Sequence, residues 1–381
     1  MKKTTILSSL VVAAALVGAR AQKPQAAAPA GWINNVKISG YALTQYQADF
    51  GNSSAEAENS FNIRMLRLAV DGRVARDFYW KAQLQFNGNT STLGNSPRMV
   101  DLFAEWQRYD FARIKAGQFK RPFTFENPMN PIDQGFMAYA QGVSKLAGFS
   151  DRSGSHASNG RDIGVQLQGD LLKAPSSHRP LLHYQVGIFN GQGINTKDVD
   201  QQKDLIGGLW VMPVKGLRIG AFGWTGSYAR RGNIQDGQQL PASRLRRLRQ
   251  RRYALSAEYK PGDWTLRAEY IHSTGYGFKT TYQKESDAKD ITVNTAAGSR
   301  ADGAYALIIA PLVSNRLYAK ARYDFYRPGA EWSSMKTYYE AGLNLLLSRN
   351  LQINAEYALV NDRTLAHPNR SMADVQLDIR F

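Results

Sequence analysis

The chain has 381 residues, with 33 Gly, 19 Tyr, 16 Phe and no Cys, a formal charge of +17 and a mean hydropathy of −0.42. These values exclude a disulfide-stabilised fold and, beyond the first residues, a bundle of apolar membrane helices. Glycine and aromatics in such amounts suit twisted sheet, and the basic surplus attracts anions, nucleic acid or an anionic membrane surface without choosing among them.

The first element is a targeting segment. Lys2 and Lys3 precede an apolar run from Ile6 to Val17, followed by Ala19-Arg20-Ala21. A positive start, a short apolar middle and an A-x-A site predict a secretory signal peptide over residues 1–21. The run is too short to cross a hydrocarbon core of ~30 Å. Residues 22–35, opening QKPQAAAPAG, read as a Pro/Ala-rich periplasmic leader without strand or helix pattern.

From Val36 to the end, the chain alternates apolar and polar side chains. In DFYWKAQLQF, Phe78, Trp80, Ala82, Leu84 and Phe86 oppose Tyr79, Lys81, Gln83 and Gln85. The last residues, ADVQLDIRF, set Ala373, Val375, Leu377, Ile379 and Phe381 against Asp374, Gln376, Asp378 and Arg380. Period two is the signature of a strand with one apolar and one polar face.

Sixteen such segments follow one another: 36–50, 61–73, 78–87, 98–107, 112–119, 160–170, 181–190, 204–212, 217–228, 252–260, 264–273, 302–311, 316–326, 336–347, 351–360 and 371–381. Short connections such as VARD, PVKG, KPGD, LVSN and SRN fall at every second gap. The gaps between them are longer, including 228–251 and 273–302. Short turns at one rim and long loops at the other predict an all-β fold, a transmembrane antiparallel up-and-down barrel of about 16 strands over residues 36–381. In hydrocarbon every backbone N–H and C=O needs a partner within the protein, so a spanning sheet must close. A barrel this wide leaves an aqueous lumen, and a soluble sandwich would not explain the regular loop rhythm or the patterned, aromatic end of the chain. The expected location is the bacterial outer membrane.

Residues 120–159 break the rhythm. They begin KRPFTFENPMNPIDQGF and carry Phe123, Phe125, Phe136, Tyr139 and Phe149. A loop this long is functional or disordered, and its aromatics argue against disorder; after the fifth strand it is placed to fold inward and narrow the pore. Other chemistry is weak. The five His are scattered without metal-ligand spacing. Ser155-His156 lacks a third catalytic partner, and GQGINT at Gly191 lacks the final Gly of a dinucleotide loop. No catalytic residue, metal or cofactor is expected. The run SRLRRLRQRR, residues 243–252, reads as a loop; in a soluble protein it would suit nucleic acid, but at the rim of an outer-membrane barrel it more naturally meets lipopolysaccharide phosphates or gathers anions, and no nucleic-acid partner is expected.

GQFKRPFTFEN resembles the signature of the phosphate-selective porin O and P family. FNIRMLRL, GRDIGVQLQG, YQVGIFNGQGIN and LRAEYI resemble further elements in the family's order, so the resemblance runs through nearly the whole mature chain. It implies a homotrimeric porin whose third loop forms an eyelet lined by basic residues, passing small anions such as phosphate or polyphosphate. A terminal strand ending in Phe381 resembles the signal read by the barrel-assembly machinery. The basic residues expected at the constriction are Arg113 and Lys115 on the fifth strand, Lys120 and Arg121 where it ends, and Arg67, Lys81, Lys320 and Arg322 on the lumen phase of other strands. That phase also carries Asp101, Glu105, Asp162, Asp170, Glu258, Glu269, Asp324, Glu340 and Glu356. It forms no one-sided ladder of arginines, and cross-strand ion pairs are the ordinary reading of such residues. Lys120 and Arg121 are alternatively expected to pin the loop through Glu126 or Asp133. The alternatives to an anion pore are a general porin and, from another class, a barrel enzyme or adhesion protein.

Overall fold

A computed structural model describes residues 33–51, 59–87, 97–149, 158–280 and 289–381. The expected signal peptide, the leader as far as residue 32, and the Ser155-His156 pair lie outside the described residues. The first half of the chain forms β1 (Ile33–Phe50), β2 (Asn59–Val74), β3 (Phe78–Gln85), β4 (Arg98–Tyr109), β5 (Ala112–Lys120), β6 (Arg161–Lys173), β7 (Pro180–Phe189) and β8 (Asp204–Val211). The second half forms β9 (Leu217–Gln235), β10 (Gln238–Tyr259), β11 (Thr265–Thr274), β14 (Arg300–Val313), β15 (Leu317–Arg327), β16 (Lys336–Ser348), β17 (Leu351–Asp362) and β18 (Asn369–Arg380). Between β11 and β14, β12 (Gly277–Phe278) and β13 (Val293–Asn294) pair as a small ribbon of their own. The other strands form one closed antiparallel ring of sixteen, each pairing with its sequence neighbours in the ring and β1 with β18. All sixteen expected segments are strands of this ring, and β1 starts inside the stretch read as leader.

The pattern that made the strands legible also sorts their faces. Outward positions are apolar and bare: Ile38 is 70% exposed, Phe61 85%, Leu255 55% and Val375 47%. A continuous apolar belt of this kind marks contact with lipid. Aromatic side chains bound it. On β10, Tyr253 and Tyr259 lie at its two edges, six residues or about 20 Å apart at ~3.4 Å per residue. Tyr253 stacks on His272 and leans on Tyr270, while Tyr109 stacks on Phe111 at the short-turn rim.

Closure explains the patterned end of the chain. β1 and β18 pair from Tyr41↔Arg380 to Phe50↔Ser371, and the Phe381 backbone exchanges two further hydrogen bonds with Gly40. The Phe381 ring then lies over Gly40. A Cβ at that position would stand 2.5 Å from the ring and 2.6 Å from the Arg67 carbonyl oxygen, so the seam needs glycine there.

The run 228–251 departs from expectation. It is not a loop: β9 and β10 continue as a hairpin of 19 and 22 residues turning at Asp236-Gly237, and SRLRRLRQRR is the middle of β10. Alternation is poor there because the two faces of this extension meet protein on one side and a polar medium on the other.

Candidate functional site

The chain leaving β5 turns into the barrel. Pro122, Pro128 and Pro131 prevent it from continuing as strand, and its aromatics find an apolar interior wall. Phe123, Phe125, Phe136, Val143, Leu146 and Phe149 are buried in one cluster with Ile206, Phe222, Trp224, Ile271 and Leu307 of the wall. These wall residues lie in the lumen phase, so β8 to β14 are apolar on both faces where the loop lands. That doubled apolarity in GAFGW, Gly220 to Trp224, is a sequence signal of loop docking that the expectation of a polar lumen overlooked. A short helix, α1 (Gln141–Leu146), packs on β14. There a Cβ on Gly142 would meet the backbone of Gly303 at 3.3–3.5 Å.

Polar anchors hold the loop around the wall. The Glu269 carboxylate accepts from the backbone N–H groups of Phe125 and Glu126, both at 2.8 Å. Glu356 accepts from Met137 N–H at 2.8 Å and Asp324 from Gln141 N–H at 2.8 Å. Lys320 donates to Gly135 O at 3.0 Å, Arg322 to Ala138 O at 2.9 Å and Arg380 to Ile132 O at 3.1 Å. Carboxylates on the wall thus satisfy loop N–H groups that burial would otherwise leave unpaired. Glu126 itself is buried, and its Oε1 has no hydrogen-bond partner. Burial pushes its carboxyl up to about 7, against the pull of Arg267 and Arg322.

Six of the eight cations expected at the constriction fall into three groups. Lys320 and Arg322 sit on the far wall, ion-paired with Glu356 and Glu340 and donating to the loop; they anchor it. Arg113 and Lys115 line the lumen below the loop, 21% and 18% exposed, paired with Asp170 at 2.9 Å and Glu105 at 3.8 Å. Lys115 also stands 5.0 Å over Phe103 and 5.3 Å over Phe119. Lys120 and Arg121 fix the start of the loop, with partners other than the two acids suggested by sequence. Lys120 donates to Asn127 O at 2.8 Å, to Met129 O and to Tyr139 Oη at 2.8 Å. Arg121 is buried against Asp162 at 2.8 Å and Ser158 at 2.9 Å, with Trp224 4.7 Å away. Asp133 pairs with Arg380 instead.

Arg67 and Lys81 meet Lys120 in a basic knot that alternation alone could not assemble. Its centre is Asp101, bound by Arg161 Nε at 2.6 Å and Nη2 at 3.1 Å, with Lys81 at 3.8 Å. Arg67 is buried on Gln85 and Tyr41. With the Asn159 amide oriented to satisfy its neighbours, its oxygen accepts from both Arg67 and Arg161. Lys120 stands directly opposite Arg161 in the β5–β6 register. Arg98, opposite Gln85 in the register, joins them; its Nη1 is buried with no hydrogen-bond partner among the described residues. Arg161 and Arg98 were missed because they stand at strand starts, where phase is weakest. Arg161 and Lys81 are, among the described residues, the cations of this group within ion-pair distance of a carboxylate, and both reach Asp101. Among the described residues no group of acidic and His side chains is placed to hold a metal.

The sequence and fold have known relatives. The model of the family described as phosphate-selective porin O and P matches residues 39–195. FNIRMLRL, GQFKRPFTFEN, GRDIGVQLQG and YQVGIFNGQGIN fall inside that span; LRAEYI and the terminal strand lie beyond it. No protein of curated function matches the chain. Its fold is similar to an anion-selective porin from Comamonas acidovorans, at 12% identity and TM-score 0.63, covering 91% of this chain and 99% of that one. It is also similar to the outer membrane channel DcaP of Acinetobacter baumannii, at 12% identity and TM-score 0.59, covering 93% and 99%. The trimer form of OmpT, an outer membrane protein of Vibrio cholerae, is similar at 12% identity and TM-score 0.55, covering 91% and 99%. Residues 39–195 thus match the model of the phosphate-selective porin O and P family, and the whole chain folds as the sixteen-strand barrel seen in bacterial outer-membrane porins.

Proposed function

We propose that the chain forms a water-filled channel for passive diffusion of small anionic solutes, with phosphate-like anions as its preferred class. The observation that carries this reading is the knot of Arg67, Lys81, Arg98, Lys120 and Arg161 around Asp101. Rings of Lys and Arg that replace part of an anion's hydration are the common basis of anion pores. Buried cations in excess of carboxylates keep a positive field that water screens poorly. Lys81, Lys115 and Arg113, each about a fifth exposed, would carry an ion past the knot. The family's description supports phosphate as the solute, and the description of the Comamonas acidovorans porin supports anion preference.

A general porin is the second reading. It is favoured by compensation elsewhere in the lumen, where Arg113, Arg218, Lys320 and Arg322 each face a carboxylate. Planar-bilayer recording separates the two. The anion reading expects steady conductance steps whose chloride current is reduced by phosphate or pyrophosphate more than by sulfate. Equal block by all three, or none, would favour the general pore.

A homotrimer is proposed as the working assembly, supported by the trimer form of the OmpT neighbour. Mass measurement in mild detergent tests it, and a monomer at every concentration would refute it. The terminal strand is proposed to engage the barrel-assembly machinery through Phe381.

A further inference from the structure

The hairpin β9–β10 carries a feature that passage through the pore does not use. Above Tyr253 the outward phase of β10 is Arg251, Arg249 and Arg247, and Arg231 of β9 stands opposite Leu245 on the same face. Arg251 and Arg300 flank Thr274 on the next strands in the same row. Residues two apart on a strand stand ~7 Å apart, and alternate strands ~10 Å apart, so the guanidinium groups form a patch with phosphate-scale spacing.

The two faces of the hairpin are unlike. Its inner face is covered: Tyr228 is buried with Phe278 and Ile291 of the loop between β11 and β14, with Leu240 and Leu248 packed on them, and Ile234 bridges to Asp290. Its outer face is open at Arg231, Arg249 and Arg251, which are exposed, and covered only lower on β9, where Ser227 and Ala229 are buried and Ser227 donates to Asp200. Among the described residues only Arg247 of this outer column has an acidic partner, Asp200 at 2.9 Å. Like charges in such a column repel one another, and the hairpin keeps them on an ordered strand instead of dispersing them in a loop.

We propose that this face binds the phosphorylated glycolipid of the outer leaflet. The long-loop rim faces the cell exterior, and Arg251 begins the patch two residues beyond the tyrosine belt, at headgroup level. Guanidinium recognises phosphate through paired, charge-assisted hydrogen bonds. Directly below the arginines the same face presents Tyr253 and Leu255, 48% and 55% exposed, which suit acyl chains. A ligand with phosphates above and hydrocarbon below fits both halves; a free anion fits one. The proposal rests on the outer-membrane placement and is independent of the pore's selectivity.

The test uses the full barrel in detergent, titrated with bisphosphorylated lipid A and read by native mass spectrometry. Arg249→Gln with Arg251→Gln should weaken binding about tenfold or more, the scale of one or two charge-assisted hydrogen bonds. Dephosphorylated lipid A should bind the parent barrel no better than the bisphosphorylated lipid binds the variant. Arg231→Gln with Arg300→Gln, farther from the belt, should weaken binding in the same direction and serves if the first pair does not fold. Unchanged affinity in folded variants, or equal binding of the dephosphorylated lipid, would overturn the proposal. Displacement of lipid A by inorganic phosphate at equal concentration would assign the row to free anions and overturn it too.

Discussion

Glu126 is the residue on which the loop's response to pH turns. Its carboxyl is buried beside Arg267 at 3.7 Å, accepts from Ala140 N–H at 3.1 Å, and leaves its other oxygen unbonded. Glu269 raises its proton affinity further, and Arg267 and Arg322 oppose the rise. The folded value of about 7 lies above the ordinary 4.5, so the protonated form is the one that folding favours. The stabilisation from this group is therefore complete below about pH 4.5 and is lost as pH rises through 7. The thermal midpoint of the barrel should fall over that window, and Glu126→Gln should flatten the decline; an equally steep decline in the variant would remove Glu126 as its source. Lys120 and Lys81 differ in the same concrete way. Lys120 donates to two loop carbonyls and to Tyr139, so Lys120→Gln should raise single-channel noise more than it shifts ion preference. Lys81, 22% exposed and 3.8 Å from Asp101, should do the reverse when changed to Gln. Records in which both variants alter noise alone would contradict this division.

At the scale of elements, the seam and the loop landing are the places where packing decides. Gly40→Val would drive a branched side chain into the Phe381 ring and the Arg67 carbonyl. A cost of ~1–3 kcal/mol is expected for such overpacking, read as a lower thermal unfolding midpoint, and an unchanged midpoint would show that the Phe381 ring swings aside freely. Gly303→Val should unseat α1, since Gly142 packs on it directly, and should loosen the loop without opening the seam; a fall in barrel stability as large as that of Gly40→Val would contradict this. The sixteen strands were legible because lipid outside and polar groups inside impose period two, as in Phe78 to Phe86. The inward loop was legible from Phe123 to Phe149. The hairpin extension was not, because Arg244 to Arg252 has no lipid face to enforce alternation. Lumen phase placed Arg67, Lys81, Arg113, Lys115, Lys320 and Arg322 correctly on the inside, but phase says nothing of which strands a folded loop brings together. For that reason the knot with Arg161 and Arg98 emerges only from the fold.

The whole molecule separates its charges by place. Far-wall cations are matched by carboxylates and hold the loop. The hairpin arginines face outward at the headgroups. Among the described residues, a cluster of cations with few carboxylates stands inside the barrel where the loop leaves β5, around Asp101. The field of such a cluster acts on every permeating ion and is weakened by salt, whose screening length falls from ~10 Å at 0.1 M to ~3 Å at 1 M. The most direct measurement is the reversal potential of the parent barrel and of Lys81→Glu with Arg98→Glu in a potassium chloride gradient. The parent should reverse on the chloride side, the variant should move toward potassium, and the difference should be larger at low ionic strength than at high. A parent that reverses on the potassium side, or a conducting variant with the parent's reversal potential at both salt levels, would contradict an anion pore governed by this knot.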